Sequence, residues 1–227
     1  TITCTIPASV KPTVSIAVSD AAGYLNTYGG YVQGLSKFAI TVTESGSYGS
    51  TIKTRTTTAD GKSYTTASIT TGVISGTGSL TITTTVTDSR GRTATASKSV
   101  TVLPYAMPKI TALNVYRSDA SGTAKNSGGY IAVKFSAAIT SLNSKNTAAY
   151  KVQYKKTSAT SYSSATLSNY AGNYSVTNGV YVFSAETSSS YDVVLTATDA
   201  FSSATKASTG SSIAKLFSWG TEIFGIA

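Results

Sequence analysis

Apolar and polar residues alternate in several short stretches of the chain. Phe38, Ile40 and Val42 occupy every second position of KFAITVTE, and residues 130–137 and 150–156 follow the same rule. A two-residue period places alternate side chains on opposite faces of a strand, one buried and one facing solvent. Nothing before residue 211 shows a helical period. The pattern therefore predicts half-buried antiparallel strands.

Glycine-containing pairs mark the turns between these strands. Asp60-Gly61 in TTADGKSY and Asn178-Gly179 in YSVTNGVYVF are typical of two-residue hairpins, because a type I′ turn needs positive φ at both positions. The stretch TDSRGRT around Gly91 predicts a slightly longer third turn. We expect hairpins at all three places.

Two landmarks repeat in order, about one small domain apart. Gly29-Gly30-Tyr31 returns 99 residues later as Gly128-Gly129-Tyr130. The prolines of IPASVKPTV return 97 and 96 residues later in LPYAMPKI, and each pair leads into an alternating strand that ends in Ser-Asp. Such repetition is typical of tandem modules. The later strand ends, Asp88 and Asp199, are 111 residues apart, which predicts about a dozen extra residues within 156–172 of the second module.

The predicted fold class is all-β, with tandem immunoglobulin-like or fibronectin type III-like β-sandwiches of about seven strands each. Residues 1–8 are predicted to be the last strand of a preceding module and a linker, 9–104 the first sandwich, and 105–214 the second sandwich with its inserted loop. Residues 215–227 are interpreted as an apolar connector to a following domain. Its inter-module or inter-chain contact residues are predicted to be Leu216, Phe217, Trp219 and Phe224.

Composition narrows the possible partners. Charged residues make up 12% of the chain, and the net charge of +9 is divided almost evenly between its halves. Nucleic-acid binding favours a clustered basic stripe, so we predict no nucleic-acid partner. Weak attraction to an anionic wall polymer stays open. Cys4 is the single cysteine, which excludes an internal disulfide, and no apolar run approaches the roughly 20 residues of a membrane span.

Little in the sequence indicates catalysis. Histidine is absent, so Cys4 has no imidazole partner in this chain. The acids form no dense Asp-x-Asp cluster, and Asp60 and Asp88 are predicted to cap turns. No phosphate-binding loop appears, while a pair of carboxylates brought together in space is left open. We predict no catalytic residue, no metal site and no cofactor.

Tyr162 and Tyr170 are the candidate ligand-binding residues. Both lie in the polar inserted segment of the second module. Aromatic rings in polar loops stack on sugars or on other proteins, and they also occur as ordinary solvent-exposed side chains. Both interpretations stay open.

YKVQYKK and YDVVLTATDA resemble middle and penultimate strands of fibronectin type III or related immunoglobulin-like modules. By this resemblance Tyr191 stands at the tyrosine corner, whereas the first module has Leu80 there. The core tryptophan of such folds has no counterpart, because the only tryptophan, Trp219, follows both repeats.

VTDSRGRTATASKSVTVLPYAMPKIT resembles a module junction in minor structural proteins of siphophages that infect streptococci and related bacteria. The resemblance implies a non-enzymatic part of a tail tip or tail fibre that spaces or presents receptor-binding parts. It implies a virion location after assembly in the host cytoplasm, with other tail proteins and sister chains as partners, in a trimer if this is a fibre. The alternatives are a module that itself binds host cell-wall polysaccharide, and a bacterial surface adhesin stalk.

Overall fold

The computed structural model describes residues 7–211, which form two compact units. The first contains residues up to Tyr105 together with Leu142–Asn146, and the second contains Ala106–Ser141 and the residues from Thr147 onward. The module limits 9–104 and 105–214 stay sequence-based predictions. The predicted strand before residue 7 and the apolar connector after residue 214 lie outside the described residues.

The described part of the first unit contains eight strands in two sheets. They are β1 (Thr13–Asp20), β2 (Tyr31–Val32), β3 (Lys37–Ser45), β4 (Ile52–Ala59), β5 (Lys62–Tyr64), β6 (Ser68–Val73), β7 (Gly78–Asp88) and β8 (Thr93–Leu103). One sheet has the order β1-β3-β6 and the other β2-β8-β7-β4-β5. Only β2 and β8 pair in parallel among these strands. A 3-10 turn at Ala8–Val10 precedes β1, and the short helix α1 (Tyr24–Tyr28) follows it.

The second unit repeats this arrangement. Its strands are β9 (Lys109–Ser118), β10 (Tyr130–Ala138), β11 (Ala149–Lys156), β12 (Ser163–Thr166), β13 (Ser175–Ser184), β14 (Tyr191–Thr198) and β15 (Ser203–Gly210), with a 3-10 turn at Ser168–Tyr170. The sheets have the orders β13-β10-β9 and β12-β11-β14-β15. The predicted all-β class with tandem fibronectin type III-like sandwiches is confirmed. The segment predicted to be inserted, 156–172, supplies β12 and this 3-10 turn.

Each sandwich has its own core, formed by the apolar residues of the alternating strands. In the first, Phe38, Ile40 and Val42 are buried as predicted, together with residues of the facing sheet that include Ile82 and Val102. The second core is larger: Ile131, Val133, Phe135, Tyr150, Val152, Val193 and Leu195 are all at most 1% exposed. Burial of such side chains gives roughly 1.5–3 kcal/mol each, so these strands supply most of the favourable free energy of folding.

The outer face of β4, β7 and β8 is a regular array of hydroxyl groups. Antiparallel register brings threonines and serines directly opposite one another, because all of them occupy the outward positions of alternating strands. Three cross-strand pairs are hydrogen-bonded, at oxygen separations of 3.2, 3.0 and 3.0 Å: Thr81–Ser99, Thr83–Ser97 and Thr85–Thr95. Hydroxyl groups thus take the place of charged side chains on this face, which accounts for part of the low charge content.

The Asp60-Gly61 turn is confirmed. Both residues have positive φ, 47° and 71°, and they join β4 to β5 in a two-residue hairpin. The longer turn around Gly91 likewise joins β7 to β8. In these two turns the local φ preference and the long-range strand pairing favour the same chain reversal.

The prediction of a hairpin at Asn178-Gly179 is wrong. Strand β13 continues through both residues, and its pairing with β10 shifts register there. The positive φ of Asn178, 54°, therefore forms a β-bulge. A Cβ atom on Gly179 would lie 2.7 Å from Val176 Cγ1 and 3.0 Å from the Phe135 ring. Close packing against the core explains the glycine, and strand pairing with β10 prevents the chain reversal that the residue pair favours locally.

Gly179→Ala should destabilise the second unit by about 1–3 kcal/mol, because the added methyl group enters occupied space in the core. Gly129→Ala is the matched control, since a Cβ atom there meets no atom within 4 Å. Urea unfolding, followed through resolved amide signals of β10 and β13, measures the difference. Equal midpoints for the two variants would contradict this account of the bulge.

The two Gly-Gly-Tyr motifs do not occupy equivalent places. Gly29 ends α1, and Tyr31 lies in β2, which pairs with the end of β8. Tyr130 instead begins β10, the second strand of its sheet. The two motifs are therefore not one repeated strand entrance: the first leads into the short strand β2, and a turn at residues 33–35 follows before β3 begins, whereas the second leads directly into β10.

Tyr191 forms the tyrosine corner that the resemblance implied. Its hydroxyl accepts a hydrogen bond from Glu186 N at 3.0 Å, which holds the loop between β13 and β14, residues 185–190. At the corresponding place in the first unit, Leu80 packs against the core. The β6–β7 loop is held instead by Asp60, whose carboxylate accepts from Ser75 N at 2.7 Å and from Gly76 N at 3.0 Å.

Arg117 holds the β13–β14 loop from the other side. Its side chain is buried, with 8% exposure for the residue, and the described hydrogen bonds of its guanidinium all go to backbone carbonyl oxygens. Nη2 donates to Glu186 O at 2.7 Å and also to Ser189 O, while Nε donates to Ser211 O at 3.0 Å. The guanidinium carbon lies 5.9 Å from the centroid of the Tyr191 ring. One buried cation thus joins the loop to the end of β15.

Tyr191→Phe should lower the free energy of unfolding of the second unit by about 1–3 kcal/mol, because Glu186 N loses its acceptor while the ring packing is kept. Tyr130→Phe, at a ring 36% exposed, is the control and should change little. Urea titration of resolved β14 amide signals gives both values. An unchanged midpoint for Tyr191→Phe would show that the corner hydrogen bond contributes no stability.

Candidate functional site

The described aspartates mostly act as loop caps. Asp20, Asp88, Asp119 and Asp199 each accept hydrogen bonds from backbone N–H groups two to five residues further along. The predicted turn-capping role is confirmed for Asp88, whereas the described hydrogen bonds of the Asp60 carboxylate go to the distant β6–β7 loop. Within residues 7–211, no group of three or more acidic, cysteine or histidine side chains could hold a metal ion.

Asp88 is the most strongly bound of these carboxylates. Its Oδ1 accepts from Arg90 N and Arg92 N, and its Oδ2 accepts from Arg92 Nε at 2.7 Å. Burial acts to raise the pKa of the carboxyl, but the hydrogen bonds from Arg92, Ser50 and Arg90 outweigh it and lower the pKa of Asp88 to about 2. Arg92 Nη2 also donates to Ser47 O and Ser50 Oγ, so the pair fixes the loop between β3 and β4.

Acidification should therefore destabilise the first unit between pH about 4 and about 2. The folded pKa of Asp88 lies below the unfolded value of about 3.9, so its stabilisation is present above that value and is lost as pH falls through the folded pKa. Asp88→Asn should lower the melting temperature at pH 7. The melting temperature of this variant should fall less on acidification than that of the unmodified protein. Thermal unfolding followed through β7 and β8 amide signals tests this expectation. An equal loss in both proteins would exclude Asp88 as the source.

A polar depression in the second unit is the strongest candidate for a binding site. It has a volume of about 430 Å³ and is lined by Thr157, Ser158, Ser188, Ser189 and Ser190. We call these five residues the serine basin. Two of them follow β11 and three precede β14, neighbouring strands that bring their loops together. Thr157 N donates to Ser190 O at 2.9 Å and holds the two loops against each other.

Two ion pairs border the serine basin. Lys155 Nζ lies 3.4 Å from Asp192 Oδ2, and Lys156 Nζ lies 2.5 Å from Glu186 Oε1. Basin hydroxyl groups also donate hydrogen bonds to both carboxylates: Thr157 Oγ1 donates to Asp192 Oδ1 at 3.0 Å, and Ser189 Oγ donates to Glu186 Oε2 at 3.3 Å. We call the four charged residues the rim. Two positive and two negative charges leave the rim neutral.

The pKa shifts follow from these contacts. Burial acts to raise the pKa of Asp192, but hydrogen bonds from Thr157, Lys155 and Thr209 lower it overall. The hydrogen bond and the charge of Lys156 lower the pKa of Glu186, and the hydrogen bond to Glu186 raises the pKa of Lys156. All three shifts favour the ionised forms, so the rim keeps its paired charges at neutral pH.

Tyr162 lies beside this rim. Its side chain is 42% exposed, and Lys155 Nζ is 5.4 Å from the centroid of its ring. Lys155 also contacts Asp192, and Asp192 contacts Thr157, so a continuous series of contacts joins Tyr162 to the serine basin.

Tyr170 has a different environment. Its ring meets Phe135 edge-on at 5.2 Å, and its hydroxyl accepts from Val180 N at 2.7 Å and donates to Val180 O at 3.1 Å. It lines a separate cavity of about 200 Å³ with residues that include Leu167 and Tyr181. Tyr170 thereby covers part of β13, which forms an edge of its sheet. The structure does not bring the two candidate tyrosines together.

Sequence reasoning did not find the serine basin. A run of three serines before Tyr191 and a Thr-Ser pair after two lysines were the visible signals. Neither is distinctive without the β11–β14 pairing that joins them. The contacts predicted for Leu216, Phe217, Trp219 and Phe224 lie outside the described residues. In residues 7–211, no helix is long and apolar enough to span a membrane.

Comparison with known proteins identifies the family. A family model described as "Siphovirus protein of unknown function (DUF859)" matches residues 1–218. The chain belongs to this siphovirus family. The resemblance to siphophage proteins with tandem fibronectin type III-like modules is therefore confirmed. A search of curated proteins found no match.

Several solved structures are similar to this siphovirus family member. The chicken CNTN1 FN1–FN3 domains are 13% identical, with a TM-score of 0.36, over 78% of this chain and 62% of that one. A bacterial ice-binding adhesin is 13% identical, with a TM-score of 0.43, over 86% of this chain and 63% of that one. A two-domain segment of chicken tenascin is 11% identical, with a TM-score of 0.31, over 88% of this chain and 98% of that one. The chain thus spans less than two thirds of the first two structures.

Proposed function

We propose that this siphovirus protein is a non-enzymatic structural module of a tail tip or tail fibre, which spaces or presents the parts that bind the host receptor. One observation carries the proposal: in both sandwiches, most of the described aspartates and the most buried arginines hold loops and strands in place. Asp60 and the Asp88–Arg92 pair do so in the first unit, and Arg117 in the second. Side chains fully engaged in this way stabilise a scaffold.

The link between the sandwiches supports a spacing role. Strand β8 ends at Leu103 and β9 begins at Lys109, so five residues connect them, and two of these are Pro104 and Pro108. Proline fixes φ near −65° and restricts the preceding residue, which limits the conformations of so short a connector. Stiff modules on restricted connectors hold a neighbouring part at a set distance.

The proposed location is the virion, after assembly in the host cytoplasm. The proposed partners are other tail proteins and sister chains, in a homo-oligomer that is a trimer if the protein forms a fibre. Membership of a siphovirus family supports a virion component and favours this role over a bacterial adhesin stalk.

Antibody fragments raised against the 227-residue chain should label the tail end of intact virions in electron micrographs. Pre-incubation with these fragments should reduce adsorption of the phage to host cells, because the labelled module lies near the receptor-binding parts. Fragments from a non-immune source are the control. Labelling of the capsid, or intact virions left unlabelled by fragments that bind the isolated chain, would contradict a tail-tip or fibre position.

A further inference from the structure

We propose that the serine basin and Tyr162 form a binding site for a neutral saccharide unit of the host cell wall. The proposal goes beyond the scaffolding role and does not rest on it. Three independent features support it: unused hydroxyl groups, a charge-neutral rim and an exposed aromatic ring next to them.

The hydroxyl groups provide the polar recognition. Ser158 and Ser188 are exposed, and within the described chain their side chains make no hydrogen bond. Each hydroxyl has one donor and two acceptor positions, so it can pair with a sugar hydroxyl in either direction. Thr157 and Ser189 already bond to rim carboxylates, which orients their hydroxyl groups. The basin thus combines oriented and adaptable hydroxyl groups.

The neutrality of the rim selects against charged ligands. Each of the two lysines is paired with a carboxylate, at 3.4 Å for Lys155–Asp192 and 2.5 Å for Lys156–Glu186. A phosphate group would have to compete with these carboxylates and would be repelled by both of them. A neutral sugar meets no such repulsion and gains charge-assisted hydrogen bonds from the lysines and the carboxylates. The ligand class favoured by the charges is therefore an uncharged hexose or N-acetylhexosamine.

Tyr162 provides the apolar surface. A sugar presents C–H groups on one ring face, and an exposed aromatic ring offers a large flat surface against which they pack. Lys155 lies over the Tyr162 ring and also touches Asp192, which fixes the ring relative to the rim. The basin is open and mostly polar, so we expect a dissociation constant on the order of millimolar for one sugar unit. Several copies on one virion would raise the overall avidity.

The test is an NMR titration of the ¹⁵N-labelled 227-residue chain. The probes are N-acetyl-D-glucosamine, D-galactose and L-rhamnose as neutral sugars, and inorganic phosphate and glycerol phosphate as charged comparators, each added to about 50 mM. At least one neutral sugar should give saturable shifts centred on the amides of Thr157, Ser158, Ser188, Ser189 and Ser190. The charged comparators should give none there.

Variants separate the parts of the site. Tyr162→Ala should weaken binding about three- to tenfold, whereas Tyr162→Phe should keep it, because the ring surface remains. Ser188→Ala should weaken binding about threefold. Tyr48→Asn is the matched control: it removes a ring 71% exposed in the first unit, and asparagine tolerates the positive φ of 52° at that position.

Three outcomes would overturn the proposal: no saturable shift in the basin with any of the three sugars, saturable shifts there with phosphate alone, or binding unchanged in both Tyr162→Ala and Ser188→Ala. Because the probes are free sugars, none of these outcomes bears on the scaffolding role, which the labelling of virions tests separately.

Discussion

The second sandwich depends on the way Arg117 fixes the β13–β14 loop. A buried guanidinium carries a large desolvation cost unless its donors are bonded, and here backbone carbonyl oxygens from residues 185–189 and from Ser211 accept them. Tyr191 accepts from the N–H of Glu186 in the same loop. Because the loop is held from two sides, Ser188, Ser189 and Ser190 have defined positions next to Thr157, and the serine basin exists.

The first sandwich holds the equivalent loop by a different chemical group. Where the second unit uses a tyrosine hydroxyl on the strand after the loop, the first uses the carboxylate of Asp60 from the β4–β5 turn. Either group satisfies backbone donors that would otherwise be left without partners in a partly buried loop. The common constraint is the satisfaction of these donors, and the residue that supplies it differs between the units.

Local turn signals predicted the chain course only where strand pairing agreed with them. Asp60-Gly61 forms the expected hairpin, while Asn178-Gly179 forms a bulge inside β13, because the residues on both sides of it pair with β10. The Gly-Gly-Tyr repeat was misleading for a related reason: the first motif leads into the short strand β2, which pairs with β8, and not into β3. Tyr162 and Tyr170 looked alike in sequence, yet the Phe135 ring and the edge of β13 engage Tyr170, and Tyr162 stays exposed.

The sequence by itself determined the strands and the all-β class, because a two-residue alternation has only one regular structure that buries one face. It also indicated the tandem organisation, the turn-capping role of Asp88, and the lack of an imidazole for catalysis. Only the tertiary structure decided the residues that meet across loops: Arg117 with Glu186 and Ser211, Asp60 with Ser75, and Thr157 with Ser190. These contacts join residues 15 to 94 positions apart, and sheet pairing brings them together without leaving a periodic signal in the sequence.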